Sequence, residues 1–205
     1  MEIDVVIPAH PARVRSGMLA RAMRSVHEQT LSAKRVVVAV DTQGAGAWAT
    51  RDRALQETTA PWVAFLDSDD AMMPEHLAVL AEAAVDLGAD YVFSYYQVRD
   101  AAGRDVDVDP LGHFGRVFDP ADPHQTTITT LVRGDLAREV GFRQPPANAL
   151  VGGQRYGEDF QFTLECVAAG ATVLHVPQRT WWWYHHGLNS SGLPGRGDAV
   201  YSVGG

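Results

Sequence analysis

Short apolar runs alternate with segments of helical periodicity through the first part of the chain. Three runs are rich in β-branched or aromatic residues and have the length of buried strands: Ile3 to Pro8, Arg35 to Val40 and Trp62 to Leu66. Between the first two runs, apolar residues at i, i+3, i+4 and i+7 form one helix face: Leu19, Ala22, Met23 and Val26. This strand–helix–strand order predicts a βαβ unit and therefore a parallel sheet.

The same alternation continues to the end of the apolar pattern. Helices are predicted from about Trp48 to Glu57, from Pro74 to a stop at Gly88, from Asp135 to Val140 and from Glu158 to about Ala169. Further strands are predicted at Tyr91 to Val98, Thr126 to Val132 and Thr172 to Val176. The aromatic run Trp181 to Tyr184 follows, and as a strand it would point alternate side chains to opposite faces. The fold class is therefore α/β, with a mostly parallel, Rossmann-like central sheet flanked by helices.

Segments rich in Gly, Pro and Asp separate these elements. Arg99 to Gln125 and Arg143 to Gly157 show little periodicity and are predicted to be loops, and the tail after Gly187 is rich in Gly and Ser. The length of 205 residues suits one domain. We expect residues 1–98 to form a ligand-binding βα half, and residues 99–205 to form the second half of the same domain.

The net charge and the counts of lysine and cysteine argue against several classes of function. The formal net charge is −8, and no basic stripe is present that could neutralise nucleic-acid phosphates. Lys34 is the only lysine and Cys166 the only cysteine, so an internal disulfide and a cysteine-based zinc cluster are excluded. No run approaches the ~20 apolar residues of a membrane span, and we expect a soluble, cytoplasmic protein.

Three carboxylates follow the third apolar run directly: Asp67, Asp69 and Asp70. In open α/β sheets, ligands bind beyond the carboxyl ends of the strands. Crowded carboxylates repel one another unless a cation lies between them, and Mg²⁺ or Mn²⁺ suits such oxygen ligands. The alternative is an acidic turn that caps the following helix, for which Asp70 and Pro74 are suitable residues.

Other polar residues are expected at the same edge of the sheet. The first strand ends in Pro8-Ala9-His10, the second ends in Asp41, and a later helix opens with Glu158-Asp159. Acidic residues are also favoured in the first helical turn by the helix dipole, so the pair at 158 and 159 has a purely structural alternative.

In their order, these motifs resemble the inverting family 2 glycosyltransferases of the GT-A fold. The matching segments span about residues 3 to 191: Val5-Val6-Ile7-Pro8-Ala9-His10, Ser25-Val26-His27-Glu28-Gln29-Thr30, Asp41, Gly46 to Asp52, Phe65-Leu66-Asp67-Ser68-Asp69-Asp70, Gly141-Phe142, Glu158-Asp159, and Trp183 to Ser191 with His185-His186. The chain departs from the family at Asp52, which stands where an Asn usually follows Arg51.

The resemblance implies specific roles. It assigns Asp159, with its neighbour Glu158, to catalysis, with Asp159 as the base. It assigns metal binding to Asp69, with Asp67 and Asp70 as further candidates for a Mn²⁺ or Mg²⁺ ion. His186 is a further candidate ligand because it follows the aromatic run and because a neutral imidazole can bind Mn²⁺. It assigns donor binding to seven residues, among which Asp41 would contact the nucleotide base: Pro8, Ala9, His10, Asp41, Arg51, Asp67 and Ser68. The partners would be a nucleotide-diphosphate sugar and an acceptor of unknown identity.

Two enzymatic alternatives and one binding alternative remain open. A phosphohydrolase of the haloacid dehalogenase type also places Asp-x-Asp after a buried strand, but usually near the start of the chain and with a lysine. A nucleotidyltransferase would show a Gly-rich, basic loop after the first strand, of which Pro11 to Gly17 is a faint version. A non-catalytic nucleotide-sugar-binding module would bind the donor without reaction. We also expect the tail from about His186 to form a lid over the donor.

Overall fold

The computed structural model describes residues 1–106, 128–151 and 154–186. The strands are β1 (Ile3–Ala9), β2 (Arg35–Val40), β3 (Trp62–Phe65), β4 (Ala71–Met72), β5 (Tyr91–Asp100), β6 (Thr130–Arg133), β7 (Leu150–Val151), β8 (Gln154–Arg155) and β9 (Val173–His185). The helices are α1 (Pro11–Arg15), α2 (Met18–His27), α3 (Ala47–Gln56), α4 (His76–Leu87), α5 (Gly134–Val140) and α6 (Glu158–Ala168).

Within the described residues, seven strands form one sheet, in the order β2-β1-β3-β6-β5-β9-β4. Strand β1 pairs in parallel with β2 and β3, and β5 pairs in parallel with β9. Strand β6 lies antiparallel between β3 and β5, and β4 lies antiparallel on the edge of β9. Five strands therefore run in one direction and two run against them, which confirms the predicted α/β class with a mostly parallel sheet.

Helices cover both faces of this sheet, because the strands carry apolar side chains on both faces. On one face, α3, α5 and α6 pack on Val6, Phe65 and Phe93. On the other face, α2 and α4 pack on Ile7, Ala64 and neighbouring strand residues. Every residue of β1 is buried, so the strand is held firmly in the sheet. The residues at its carboxyl end therefore have a well-defined position beside the carboxyl ends of β2 and β3.

The main elements lie where the sequence predicted them, and the differences concern short or joined elements. The two strands predicted at the end are one strand, β9, which follows β5 with register shifts at Ser94/Tyr95 and Tyr95/Tyr96. The predicted loop 143–157 contains the β7–β8 pair. Helix α1 and strand β4 were not predicted, since two to five residues are too few to show a periodicity.

Some predictions lie outside the described residues. These are the part of the 99–125 loop beyond residue 106, the start of the strand predicted from Thr126, and the lid beyond His186. Among the helices that are described, none combines the length and the hydropathy needed to cross a bilayer.

Candidate functional site

The acidic cluster, defined as Asp67, Asp69 and Asp70, lies at the carboxyl end of β3. Leu66 still follows the sheet, since its N–H donates to the carbonyl of Val6 at 3.1 Å. The chain then turns, with the Asp70 N–H donating to the carbonyl of Asp67 at 3.1 Å. One oxygen from each of the three carboxylates lies within 4.8 Å of the others, so the cluster could hold one cation.

The alternative interpretation of the cluster as a helix cap is wrong. Strand β4 separates the cluster from α4, which begins at His76 with Glu75 as its cap residue. Asp70 bonds β9 instead, because its Oδ1 accepts the N–H of Tyr184 at 2.9 Å. Burial and then the charges of Asp69 and Asp67 raise the pKa of Asp70 well above its usual range. Asp70 therefore ties the cluster to β9.

Arg51 of α3 joins the cluster to the start of α6. Its Nη2 lies 2.7 Å from Asp67 Oδ1, and its Nη1 lies 2.6 Å from Glu158 Oε1. Only 4% of its side chain is exposed, and its Nε has no hydrogen-bond partner among the described residues. Burial opposes the charge of Arg51, but the two carboxylates outweigh burial and raise its pKa. Arg51 is thus a buried bridge between two segments that are far apart in sequence.

Phe142 supports this bridge from below. The guanidinium carbon of Arg51 lies 5.2 Å from the centre of the Phe142 ring, a cation–π arrangement. The ring stacks on Phe162 of α6 at 4.2 Å and packs edge-on against Phe65 of β3 at 5.3 Å. Phe142 therefore links the Arg51 guanidinium to the aromatic core and helps to position it.

Asp52, which stands where an Asn usually follows the arginine in the resembled family, holds Phe142 in place. Its Oδ1 accepts the N–H of Phe142 at 2.9 Å, and Gln56 donates to the same oxygen at 3.4 Å. Gly141 precedes Phe142 with φ of +64°, and a Cβ there would lie 2.9 Å from Asp52 Oδ1. The glycine is therefore required by both the backbone conformation and the close approach of the carboxylate. Asp52 positions the support of its sequence neighbour, Arg51.

Asp159 lies beside this bridge at the start of α6. Burial and then the charge of Glu158 raise the pKa of Asp159 to about 6, against the opposing effects of Arg51 and of the Phe160 N–H. Burial raises the pKa of Glu158, but the charge and the hydrogen bond of the Arg51 guanidinium lower it by more. The pKa of Glu158 therefore lies below its usual value. A carboxylate with a pKa near 6 can accept a proton close to neutral pH.

Gly157 leaves room for the Asp159 carboxylate. A Cβ at position 157 would lie 2.8 Å from Asp159 Oδ1, closer than such contacts allow. The same oxygen accepts the N–H of Phe160 at 2.8 Å. Gly157 therefore lets the carboxylate fold back over the first turn of α6.

Asp69 is the meeting point of residues from both ends of the chain. Arg13 Nη2 lies 2.9 Å and His186 Nε2 lies 3.0 Å from the same Oδ2 atom of Asp69. Arg21 donates to the backbone carbonyl of Asp69, and its guanidinium lies 3.6 Å from the centre of the Tyr184 ring. The structure thus brings His186 to the cluster. Sequence reasoning missed Arg13 and Arg21, although arginines soon after the first strand were a usable signal.

The donor candidates at the ends of β1 and β2 form a second group at the same edge. The N–H of Asp41 donates to the carbonyl of Ala9 at 2.8 Å. The Asp41 carboxylate accepts the N–H groups of Ala45 and Gly46 at 2.9 Å each, and these bonds lower its pKa. Asp41 thus organises the loop before α3.

The remaining donor candidates have local contacts. His10 caps α1, since its Nδ1 accepts the N–H of Ala12 at 3.2 Å. Pro8 is buried within β1, and Ser68 is buried inside the acidic cluster with 5% of its surface exposed.

The side chains at the cluster fit a divalent cation of the Mg²⁺ or Mn²⁺ type. Carboxylate oxygens are the preferred ligands of both ions, and a neutral imidazole is a competent ligand for Mn²⁺. The acidic cluster and the imidazole of His186 supply these groups together.

Part of the sequence matches a glycosyl transferase family model, and the fold matches solved structures of S. aureus TarS. The sequence model described as Glycosyl transferase family 2 matches residues 35–134. Among solved structures, S. aureus TarS 1-349 in complex with UDP-GlcNAc shares the fold with a TM-score of 0.67 at 16% identity. The match covers 90% of this chain and 59% of that one. TarS 1-349 in complex with UDP matches with a TM-score of 0.63 at 17% identity, over 90% of this chain and 61% of that one.

These comparisons confirm the resemblance drawn from the motifs and the GT-A type of fold. No protein in the curated set matches the chain significantly. The chain spans about three fifths of the length of the TarS 1-349 structures.

Proposed function

We propose that this chain, whose residues 35–134 match glycosyl transferase family 2, transfers a sugar from a nucleotide-diphosphate donor to an acceptor hydroxyl with inversion. The observation that carries the proposal is the Arg51 bridge. It holds the acidic cluster, where a diphosphate would be neutralised, and the Glu158-Asp159 pair, where a proton can be accepted, in one rigid unit. Inverting transfer needs these two groups on opposite sides of the reacting carbon.

Each group has a defined task in this reaction. A Mn²⁺ or Mg²⁺ ion held by the acidic cluster and His186 would act as a Lewis acid on the diphosphate leaving group. Asp159 accepts the proton of the acceptor hydroxyl while the acceptor oxygen bonds to the anomeric carbon. The bond between that carbon and the diphosphate oxygen breaks in the same displacement, and its electron pair leaves with the diphosphate.

The donor nucleotide is proposed to lie over the ends of β1 and β2. Asp41 and His10 order the loops at this edge, next to Pro8 and Ala9. The UDP and UDP-GlcNAc complexes of TarS, which shares the fold, support a nucleotide-sugar donor of this type. Under this proposal residues 1–98 supply the donor side, and residues 99–205 supply the base and the acceptor side.

Calorimetry with UDP and Mn²⁺ tests the proposal directly. We expect the parent protein to bind UDP in the presence of Mn²⁺, and the variant Asp69→Ala to lose the Mn²⁺-dependent part of the binding. Asp86→Ala is the matched control, because Asp86 is an exposed carboxylate on α4, away from the cluster. Mn²⁺-dependent binding that is unchanged in Asp69→Ala would refute the metal assignment.

Product analysis separates transfer from the binding-module and nucleotidyltransferase alternatives. Slow hydrolysis of a UDP-sugar to UDP and free sugar in the presence of Mn²⁺ supports a glycosyltransferase. Donor binding without any turnover, with or without acceptors, would indicate a binding module. Formation of pyrophosphate from a nucleoside triphosphate and a sugar phosphate would indicate a nucleotidyltransferase.

A further inference from the structure

Arg13 contacts the acidic cluster from the short helix that follows β1. It belongs to the five-residue helix α1, which His10 caps and Pro11 opens directly after β1. Its Nη2 lies 2.9 Å from Asp69 Oδ2, and 22% of its side chain is exposed, against 18% for Asp69. The guanidinium is therefore held at the cluster and is still in contact with solvent.

We propose that Arg13 is a donor-binding residue that exchanges partners. It neutralises Asp69 in the free protein, and it binds the diphosphate of the donor when a divalent cation takes over Asp69. This inference rests on the proposed function, and it adds a residue and an order of contacts that the function alone does not require.

The shared oxygen atom favours the exchange. Arg13 and His186 both contact Oδ2 of Asp69. A divalent cation bound by that oxygen repels the guanidinium and removes its partner. A diphosphate that shares the cation then comes within reach of the same guanidinium, and the planar fork of arginine suits phosphate oxygens. The positive charge of Arg13 thus passes from one anion to another without being left unpaired.

The other arginines around the cluster are less suited to this role. Arg51 is buried between two carboxylates. Arg21 lies on the Tyr184 ring and bonds the backbone of Asp69. Lys34, the only lysine of the chain, pairs with Glu2 at the far end of β1. Of these four cations, Arg13 combines contact with the cluster and exposure to solvent.

Replacing Arg13 by methionine should change two affinities in opposite directions. Mn²⁺ alone should bind more tightly, because a competing cation has been removed from Asp69. UDP in saturating Mn²⁺ should bind more weakly, because one charged hydrogen-bond donor to the diphosphate is lost. We expect each change to be about tenfold, which is typical for one charge-assisted interaction. An arginine that only supports the local fold would change both affinities in the same direction.

The test measures the binding of Mn²⁺ alone and of UDP in saturating Mn²⁺ by calorimetry, on the full chain. The matched control is Arg15→Met, because Arg15 is an exposed arginine on the same helix. Arg13→Lys keeps the charge but not the fork, so Mn²⁺ affinity should stay near that of the parent while UDP affinity falls. This variant also keeps the inference testable if Arg13→Met folds poorly, which thermal unfolding will show.

The outcomes separate this inference from the proposed function. Opposite shifts in Arg13→Met, absent in Arg15→Met, support the exchange. Unchanged affinities, or a loss of both, in a folded Arg13 variant whose parent binds UDP with Mn²⁺ would overturn the role of Arg13 alone. A parent protein that binds no UDP in the presence of Mn²⁺ would overturn the proposed function together with this inference.

Discussion

Two arginine–carboxylate pairs involve the acidic cluster. Their contact distances are similar, but the arginines differ in exposure, in number of partners and in the element that carries them. Arg51 lies 2.7 Å from Asp67, and Arg13 lies 2.9 Å from Asp69. Arg51 is 4% exposed, bridges two carboxylates and rests on an aromatic ring, whereas Arg13 is 22% exposed and comes from a five-residue helix. The two pairs therefore have similar contact distances but differ in the burial of the arginine and in the number of its carboxylate partners.

The energetic reason is the cost of leaving a charge unpaired. Removing one partner of a buried ion pair costs about 3–5 kcal/mol, because the remaining charge stays in a low-dielectric surrounding. An ion pair in contact with water contributes about 0–1 kcal/mol, because solvent replaces the lost partner. Arg13 can therefore leave Asp69 for a ligand, and Arg51 cannot leave Asp67 and Glu158 without loss of stability.

The largest effect is expected on the rate of transfer, when Asp159 beside the Arg51 bridge is replaced. Asp159→Asn keeps the shape of the side chain and removes the proton acceptor. Transfer should fall by roughly 10²- to 10⁴-fold, the contribution typical of general base catalysis, while UDP affinity stays near that of the parent. Steady-state kinetics with UDP calorimetry checks this, and a variant that loses UDP binding but keeps turnover at saturation would make Asp159 a substrate ligand.

The stability of the two pairs provides the sharpest contrast. Arg51→Met should lower the free energy of unfolding by about 1.5–3 kcal/mol, because Asp67 and Glu158 lose the charged partner that they share but are themselves 36% and 23% exposed. Arg13→Met should lower it by less than about 1 kcal/mol. Urea unfolding of both variants and the parent measures the difference, and equal losses would remove the distinction between the two pairs.

The support beneath Arg51 can be weakened without touching the bridge itself. Asp52→Ala leaves the N–H of Phe142 without its acceptor and should cost about 1–3 kcal/mol of stability. Asp52→Asn retains an acceptor oxygen at this position and should preserve most of the stability and of the transfer activity. Loss of activity in the Ala variant together with recovery in the Asn variant identifies Asp52 as a positioning residue. If Asn fails as badly as Ala, the charge of Asp52 matters more than its hydrogen bond.

The smallest expected effect is the dependence of transfer on pH. The base must be ionised to accept a proton, and the pKa of Asp159 is raised to about 6. Transfer measured as kcat/KM should therefore rise with pH between about 5 and 7 and be about tenfold below its plateau at pH 5. In Asp159→Asn the residual rate should lose this limb, and persistence of the limb would assign it to another group.

The sequence alone was sufficient to predict the parts of the molecule that depend on local pattern. The helical face of α2, the positions of strands β1 to β3 and the acidic cluster all follow from the spacing of neighbouring residues. The sequence predicted β2 as a buried strand, but β2 is only partly buried because it lies at the edge of the sheet. The resemblance in motif order brought Asp159 and His186 into the same site. The structure then places His186 at 3.0 Å from Asp69.

Only the tertiary structure decided which charges meet. Arg51 reaches Glu158 across 107 positions, and Asp52 reaches Phe142 across 90, so no periodicity in a short window reveals either contact. The assignment of Asp70 to the backbone of β9, and of Arg13 to Asp69, likewise depends on strands and helices that meet only after folding. Apolar patterning specifies which residues must be buried, whereas the partner of each charge depends on distances of a few ångströms that the packed elements set.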